Sequence, residues 1–296
     1  MSHHSLATIT PSAASTTIDA GVLAKLEHYA RHATGAFAKN TERAIKADVA
    51  RFTAFCAERG LSSLPATPET LVAFLEALIQ THATASVRRY LSSIATFHKA
   101  AGLESPTGSL EVRLAMKRLT RTKGTRQRQA GALNRGLVDK MLLAHEGTLR
   151  DRRDLAILAV AYDTLCRRSE IAALMVGDFS FANDGTGTIL VRKSKTDQEG
   201  ADTVVMVKEW LNTAGHTQGA MFRGVNNAGG LEERLSEKGV NRAFKRFAKR
   251  IGADVKGISG HSCRVGAAQD MVAAGLEIGE VMQAGGLENT RYGCAV

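Results

Sequence analysis

The sequence predicts a mainly α chain in two domains: an N-terminal helical bundle, then a larger, mainly α domain with a small antiparallel sheet. Three observations carry this. Apolar residues recur at steps of three and four through most of the chain, the period of an amphipathic helix. Strand-like alternation is confined to two short stretches in the second half. A length of 296 residues ordinarily divides into two domains. With 44% hydrophobic and 23% charged residues, the composition can build real cores.

The elements follow in order. Met1 to Gly21 is rich in Ser, Thr and Ala and reads as a disordered tail, without the charged and apolar regions of a secretory signal. Residues 22–105 read as helices. Thr41-Glu42-Arg43 opens a long one with Ile45, Val49, Phe52 and Phe55 or Cys56 on one face, and Gly60 ends it. Pro65 to Glu69 starts another, carrying Leu71, Phe74, Leu75 and Leu78. A third runs from about Ala85 to Ala100 with Val87, Leu91, Ile94 and Phe97 apolar, stopped by Gly102 and Pro106. This is a bundle of about four or five helices. Residues 106–130 read as a short helix plus a basic linker, and residues 131–296 as the second domain. There, Asp151 to Ala173 reads as one helix, and Thr188 to Arg192 and Thr203 to Val207 as two strands around a polar turn, Ser194 to Gly200. Glu237 to Ile251 reads as a helix with Arg242, Lys245, Arg246, Lys249 and Arg250 opposite Phe244, Phe247 and Ile251. Helices follow at about Cys263 to Ala274 and Ile278 to Ala284.

Several function classes drop out. The longest apolar run, Leu155 to Tyr162, has eight residues, far short of a bilayer span, so no membrane is expected. The four cysteines are scattered without metal-ligand spacing, and no P-loop, dinucleotide or zinc motif is present. A reduced, cytoplasmic protein with no metal and no cofactor is the expectation.

Charge points the other way, toward a partner. Thirty-nine basic against 29 acidic residues give a net charge of +10. Charge alone leaves a polyanion binder and a merely basic protein both open. Its distribution is uneven: between Arg113 and Arg128 lie seven basic residues and no acidic one. Such a stretch is either a solvated linker or a contact with nucleic acid.

Three segments could carry chemistry. In Thr164 to Ile171, Arg167 and Glu170 are three apart, so the carboxylate either pairs at the surface or holds a guanidinium in one orientation. Lys195 lies in the polar turn between the expected strands, where it is either solvated or reaches into a groove to donate a proton. In Ser259-Gly260-His261-Ser262-Cys263-Arg264-Val265-Gly266-Ala267-Ala268, a His and an Arg three apart sit at a helix start, which suits anion binding.

The order Arg-x-x-Glu, turn Lys, then His-x-x-Arg within Gly-His-Ser-x-Arg-Val-Gly-Ala-Ala resembles the tyrosine recombinases, or phage integrase family, and within it the Cre-like members. Asp270-Met271 and Met282-Gln283-Ala284-Gly285-Gly286 extend the likeness. Asn40-Thr41-x-Arg43 and Val87 to Ile94 resemble that family's core-binding domain. The resemblance covers roughly residues 22–291. It implies a SAM-like helical core-binding bundle followed by a tyrosine-recombinase catalytic domain, clamping a duplex between them. The implied activity is site-specific DNA recombination or integration, as in mobile elements. A tyrosine attacks the scissile phosphate, leaving a 3′-phosphotyrosine and a free 5′-hydroxyl, and the hydroxyl then attacks the partner duplex.

The implied roles fit the residue types. Arg167 and Arg264 stabilise the phosphorane oxygens with fixed charged forks. His261 adds a hydrogen bond and assists proton transfer, and Lys195 protonates the leaving 5′-oxygen. Glu170 orients Arg167. Cys166 and Cys263 are expected to be packing residues. The cations expected on DNA are Arg43, Arg88, Arg89, Lys117, Arg118, Arg121, Lys123, Arg242, Lys245 and Arg246. The implied partners are double-stranded DNA and three further copies, as a homotetramer on two duplexes, associated with the nucleoid.

The C-terminal segment departs from the family pattern. Leu287 stands at the family's Trp or His position, and the nucleophile position nine residues on falls at Val296. Tyr292 is the only nearby tyrosine, about one helical turn or ~6 Å early. Two readings stay open. In one, Tyr292 is the nucleophile. In the other, the reading frame has slipped: shifting the codons of Arg291 to Val296 by one base permits Ala-Met-Val-Ala-Arg and a tyrosine codon at position 296. The second reading implies a DNA-binding remnant without its nucleophile and with impaired assembly.

Overall fold

The computed structural model describes residues 20–124, 129–183, 186–190 and 201–285, without the side chains of residues 201 and 202. The expected tail up to residue 19 and the turn from Ser194 to Gly200 lie outside the described residues. The chain divides into two units, Met1–Arg128 and Gln129–Val296.

In the first unit five helices are described: α1 (Ala20–Ala33), α2 (Lys39–Glu58), α3 (Pro68–Thr81), α4 (Thr84–Ala100) and α5 (Leu110–Lys123). Local chemistry sets their starts. The Thr67 side chain accepts the Thr70 N–H at 3.2 Å with Pro68 beside it, and Ser109 accepts from Val112 at 3.3 Å. The core joins Leu71, Leu75, Leu78, Val87 and Ile94 to a ring cluster in which Phe74 meets Phe52, Phe55 and Tyr90 edge-on.

The basic stretch expected to be a short helix and linker is mostly helix. α5 packs on α3 and buries Val112 and Ala115 in the bundle core. Val112, Ala115, Met116 and Leu119 fall on one face, so Arg113, Lys117, Arg118 and Arg121 occupy the exposed one.

The second unit is arranged around α7 (Leu149–Asp163), nearly every residue of which is buried from Asp151 to Ala161. Against it pack α6 (Arg135–Leu143), α8 (Arg168–Ala173), α9 (Ala201–Ala214), α10 (Glu237–Arg250) and α11 (Ser262–Ala273). α12 (Ile278–Ala284) packs on α11. Strands β1 (Phe179–Phe181) and β2 (Gly187–Ile189) pair antiparallel with Ser180 opposite Thr188.

Three expectations are corrected here. The strand expected over Thr188 to Arg192 overlaps β2, but its partner is β1, upstream. The strand expected over Thr203 to Val207 is the first half of α9. Its β-branched residues favour a strand, but Val204, Val207 and Trp210 recur at steps of three and are buried, Val207 and Trp210 fully. Burial outweighs local propensity. The single helix expected over Asp151 to Ala173 is broken: α7 stops at Asp163, and α8 begins at Arg168 after Leu165 turns through φ 50°. Neither Gly nor Pro marks that break. Among the described residues no helix is long and apolar enough to cross a membrane.

Candidate active site

The break after α7 builds half of the site. Thr164 closes the helix, its N–H bonding the Val160 carbonyl at 3.0 Å and its hydroxyl the same carbonyl at 2.6 Å. Leu165 is the one non-glycine residue with positive φ among those described. Arg167 then caps α8. The Glu170 carboxylate accepts the Arg167 backbone N–H at 2.6 Å and its Nη1–H at 2.9 Å. One carboxylate therefore fixes both the start of α8 and the direction of the guanidinium.

The start of α11 builds the other half. The Ser262 hydroxyl accepts the Ser259 N–H at 2.9 Å, and the Ser259 hydroxyl accepts the His261 N–H at 3.2 Å. These bonds tie the turn that presents the exposed His261. Arg264, one turn into α11, donates from Nη1 to the Leu165 carbonyl at 2.5 Å and from Nη2 to the Gly285 carbonyl. The left-handed turn at Leu165 thus supplies the acceptor that links the Arg167 turn to Arg264. α11 itself sits backbone to backbone on the preceding segment: Leu133 N–H bonds Ser262 O at 2.9 Å, and a methyl on Gly266 would fall 1.9 Å from the Leu133 carbonyl oxygen. Only glycine fits there.

The electrostatics follow from this convergence. Burial, then the Arg264, Arg168 and Arg167 charges, hold the His261 pKa below the ordinary histidine range. Arg264 is likewise pulled down, by burial and by Arg167. A cationic cluster of two guanidiniums with a neutral imidazole is a receptor for a phosphate, with forked donors aimed at its oxygens.

Other expected residues are placed as follows. Arg43, Arg88, Lys117, Arg118, Arg121, Arg242 and Lys245 are exposed. Four expected DNA cations have partners in the fold: Arg43 donates to the Asn40 side chain at 2.9 Å, Arg89 pairs with buried Asp48 at 2.8 Å, Lys123 reaches the Ile79 and Gln80 carbonyls at the end of α3, and Arg246 binds Asp154. Lys195, Leu287 and Tyr292 lie outside the described residues. Cys166 and Cys263 are buried, and burial pushes both thiols up, so they are poor nucleophiles. Among the described residues no cluster of His, Cys, Asp or Glu could hold a metal. Sequence reasoning missed the Leu165 and Gly285 carbonyls, which carry no side-chain signal. It also passed over Arg168, although the Arg167-Arg168 doublet marked it.

Comparison with known proteins settles the lineage. Residues 133–292 match the model of the phage integrase family, and residues 26–105 match that of the phage integrase N-terminal SAM-like domain. The chain belongs to the phage integrase family. This integrase-family chain is 29% identical over 282 residues to the recombinase Cre of Escherichia phage P1, covering 86% of this chain and 82% of Cre. It is 31% identical over 248 residues to an integrase/recombinase XerD homologue of Selenomonas ruminantium, covering 77% and 72%. The fold is shared with XerH site-specific recombinase in a post-cleavage complex with palindromic difH substrate (TM-score 0.61, 17% identity, 94% and 85% covered). It is shared too with a λ integrase dimer bound to a core site (TM-score 0.60, 16% identity, 90% and 74% covered). The SAM-like bundle and the mainly α catalytic domain expected from sequence are those of the family.

Proposed function

We propose that this chain is a site-specific recombinase that cleaves and rejoins double-stranded DNA through a 3′-phosphotyrosine. The observation that carries the reading is the convergence of Arg167, His261 and Arg264, with Arg264 oriented by backbone carbonyls that leave its charge intact. Cleavage puts negative charge on the non-bridging oxygens of a five-coordinate phosphorus, and preorganised forked donors stabilise it. His261 donates a further hydrogen bond. Lys195 protonates the departing 5′-oxygen, so that no free alkoxide leaves.

Two tyrosines lie within residues 129–296. Tyr162 donates to Asp270 at 2.5 Å, and burial with that carboxylate raises its pKa well above the usual range, so it stays protonated and occupied. We assign the nucleophile to the other of the two, Tyr292. The exposed cations on α2, α4, α5 and α10 bind the DNA backbone, and the working assembly is a tetramer on two duplexes. A λ integrase tetramer on a Holliday junction shares the fold (TM-score 0.58).

The test is covalent capture. The full chain is mixed with a randomised duplex library carrying one nick, and detergent-resistant adducts are collected. The expected result is an adduct mapping to Tyr292 and absent from Tyr292→Phe. Arg264→Ala should bind DNA as before but form adduct about 10²–10³-fold more slowly, the cost of one transition-state donor. Salt-sensitive binding with no adduct at any library sequence would overturn the proposal and leave a DNA-binding protein with a disabled site.

A further inference from the structure

Arg168 follows Arg167 at the first position of α8 and has no part in the reaction outlined above. Its side chain is placed with care all the same. Its aliphatic stem runs over Gly260, the residue before His261: a methyl on Gly260 would come within 2.8 Å of both Cβ and Cδ of Arg168. Beyond that glycine its guanidinium grips Glu237, the first residue of α10, with Nη2 at 3.0 Å and Nε at 3.3 Å from one carboxylate oxygen. A single side chain thus connects α8, the Gly260–His261 turn and α10. The pair is well exposed, with 42% of the Arg168 side chain and 39% of Glu237 open to solvent. An ion pair this exposed adds little to stability, so fold stability does not account for the arrangement.

His261 needs such support. Its backbone N–H is tied to Ser259, but among the described residues its ring makes no hydrogen bond. A ring that meets its ligand unaided must be aimed by the turn beneath it. We propose that Arg168, anchored by Glu237, is a positioning residue for His261: it straps down the Gly260 turn and fixes where the imidazole meets the phosphate. Gly260 is then explained as well, because any side chain there would displace the strap.

The charged groups around His261 agree with this. Arg264 lies on the helix that His261 starts, Arg167 caps α8 and Arg168 opens it, and the carboxylates of Glu170 and Glu237 are bound to those two arginines. Arg168 is among the cations that keep His261 neutral, so the strap also holds the ring in its uncharged form. The inference rests on reading His261 as the phosphate-facing imidazole, but its test needs neither DNA nor turnover.

The experiment is NMR on the full chain with ¹³C-labelled histidine, the His261 signal assigned by His261→Asn. Titration is combined with amide exchange and thermal melting for the parent, Arg168→Met and Arg168→Lys. Arg168→Met keeps the stem and removes the charged grip. It should shift the His261 titration upward and speed exchange at residues 259–263 while leaving the melting temperature unchanged. Arg168→Lys, which keeps stem and charge, should return the titration toward the parent. An unchanged titration and exchange in Arg168→Met would overturn the proposal. So would faster exchange throughout α8, α10 and α11 with a lowered melting temperature, since that marks a residue of the fold. Failure of covalent capture would leave these results intact, so the two readings fail separately.

Discussion

Two groups of arginines in the second unit are held in opposite ways. Along α7 and α10, carboxylates hold them. Asp154, buried at 1% exposure, accepts Arg153 through Nε at 2.9 Å and Nη2 at 2.6 Å, and also binds Arg246. Arg250 pairs with Asp151 at 2.9 Å and with Glu146 at 3.3 Å. At the site, Arg167 also meets a carboxylate, Glu170, with 40% of its side chain still open to solvent, but Arg264 is held by the Leu165 and Gly285 carbonyls instead. A carboxylate orients a guanidinium and cancels its charge. A carbonyl dipole orients it and leaves the charge available. The first group is committed to the fold, whereas Arg264 keeps its full charge for an anion.

The largest expected effect breaks the first group. Asp154→Asn leaves Arg153, 3% exposed, without its counter-ion and removes the acceptor of Arg246. An uncompensated buried charge of this kind costs about 3–5 kcal/mol. Trp210, the chain's one tryptophan, is buried in the second unit, so its fluorescence in urea melts reports that unit directly. A loss under ~1 kcal/mol, the range of an exposed pair, would erase the distinction between the two groups.

A smaller effect sharpens the second group. If the turn at Leu165 is what aims a carbonyl at Arg264, the left-handed backbone must be a real constraint there. Leu165 is 2% exposed, so replacing it costs packing in any case. Comparing Leu165→Gly with Leu165→Ala largely removes that cost. In ordinary helix, Ala is more stable than Gly by ~1 kcal/mol. At a left-handed position the order reverses by about the same amount. Gly should therefore be the more stable variant here, by about 1 kcal/mol in the same urea melts. Ala more stable than Gly would mean that the turn relaxes and does not set Arg264.

How much of this could be read beforehand follows from the range of each interaction. α2, α3, α4 and α10 were legible because their apolar faces repeat locally and Thr67 or Gly60 marks an end. The Arg167, Glu170, His261 and Arg264 set was legible because each pair lies within one helical turn. The break at Leu165 was not, since leucine signals no turn and the reason for the turn, Arg264, lies 99 residues away. α9 was misread because Thr203, Val204 and Val205 are strand formers in isolation, and only burial of Val204, Val207 and Trp210 makes them a helix face. Arg246 was placed on the basic stripe of α10 because its partner, Asp154, sits 92 residues earlier. Charge patterns seen along one helix cannot show which cations are already neutralised from another.

The smallest expected effect carries the comparison to two histidines, His98 and His261, whose pKa values are lowered in contrasting settings. His98, fully buried in the first unit, accepts the Ala66 N–H at Nε2 (3.0 Å) and faces the Ile94 carbonyl through Nδ1 at 2.9 Å. Both nitrogens are used, and the neutral tautomer fits: Nδ1–H donates and Nε2 accepts. Burial lowers its pKa, with the Ile94 bond opposing. The sign follows. In the unfolded chain His98 titrates near 6.5, whereas in the folded unit it protonates only at lower pH. The unfolded state therefore binds more protons as pH falls through 6.5, and stability is lost progressively below that point until the folded pKa is reached. Protonation also converts Nε2 from acceptor to donor and sets it against the Ala66 N–H. Amide exchange in α3 and α4, corrected for the intrinsic pH dependence of exchange, should show more opening at pH 5.5 than at pH 7.5, and His98→Gln should remove most of that difference. His261 gives the contrast. Among the described residues its ring makes no such bonds, so His261→Asn should leave the acid response of α3 and α4 as it is in the parent. If His98→Gln keeps the full acid response, the buried histidine is not its source.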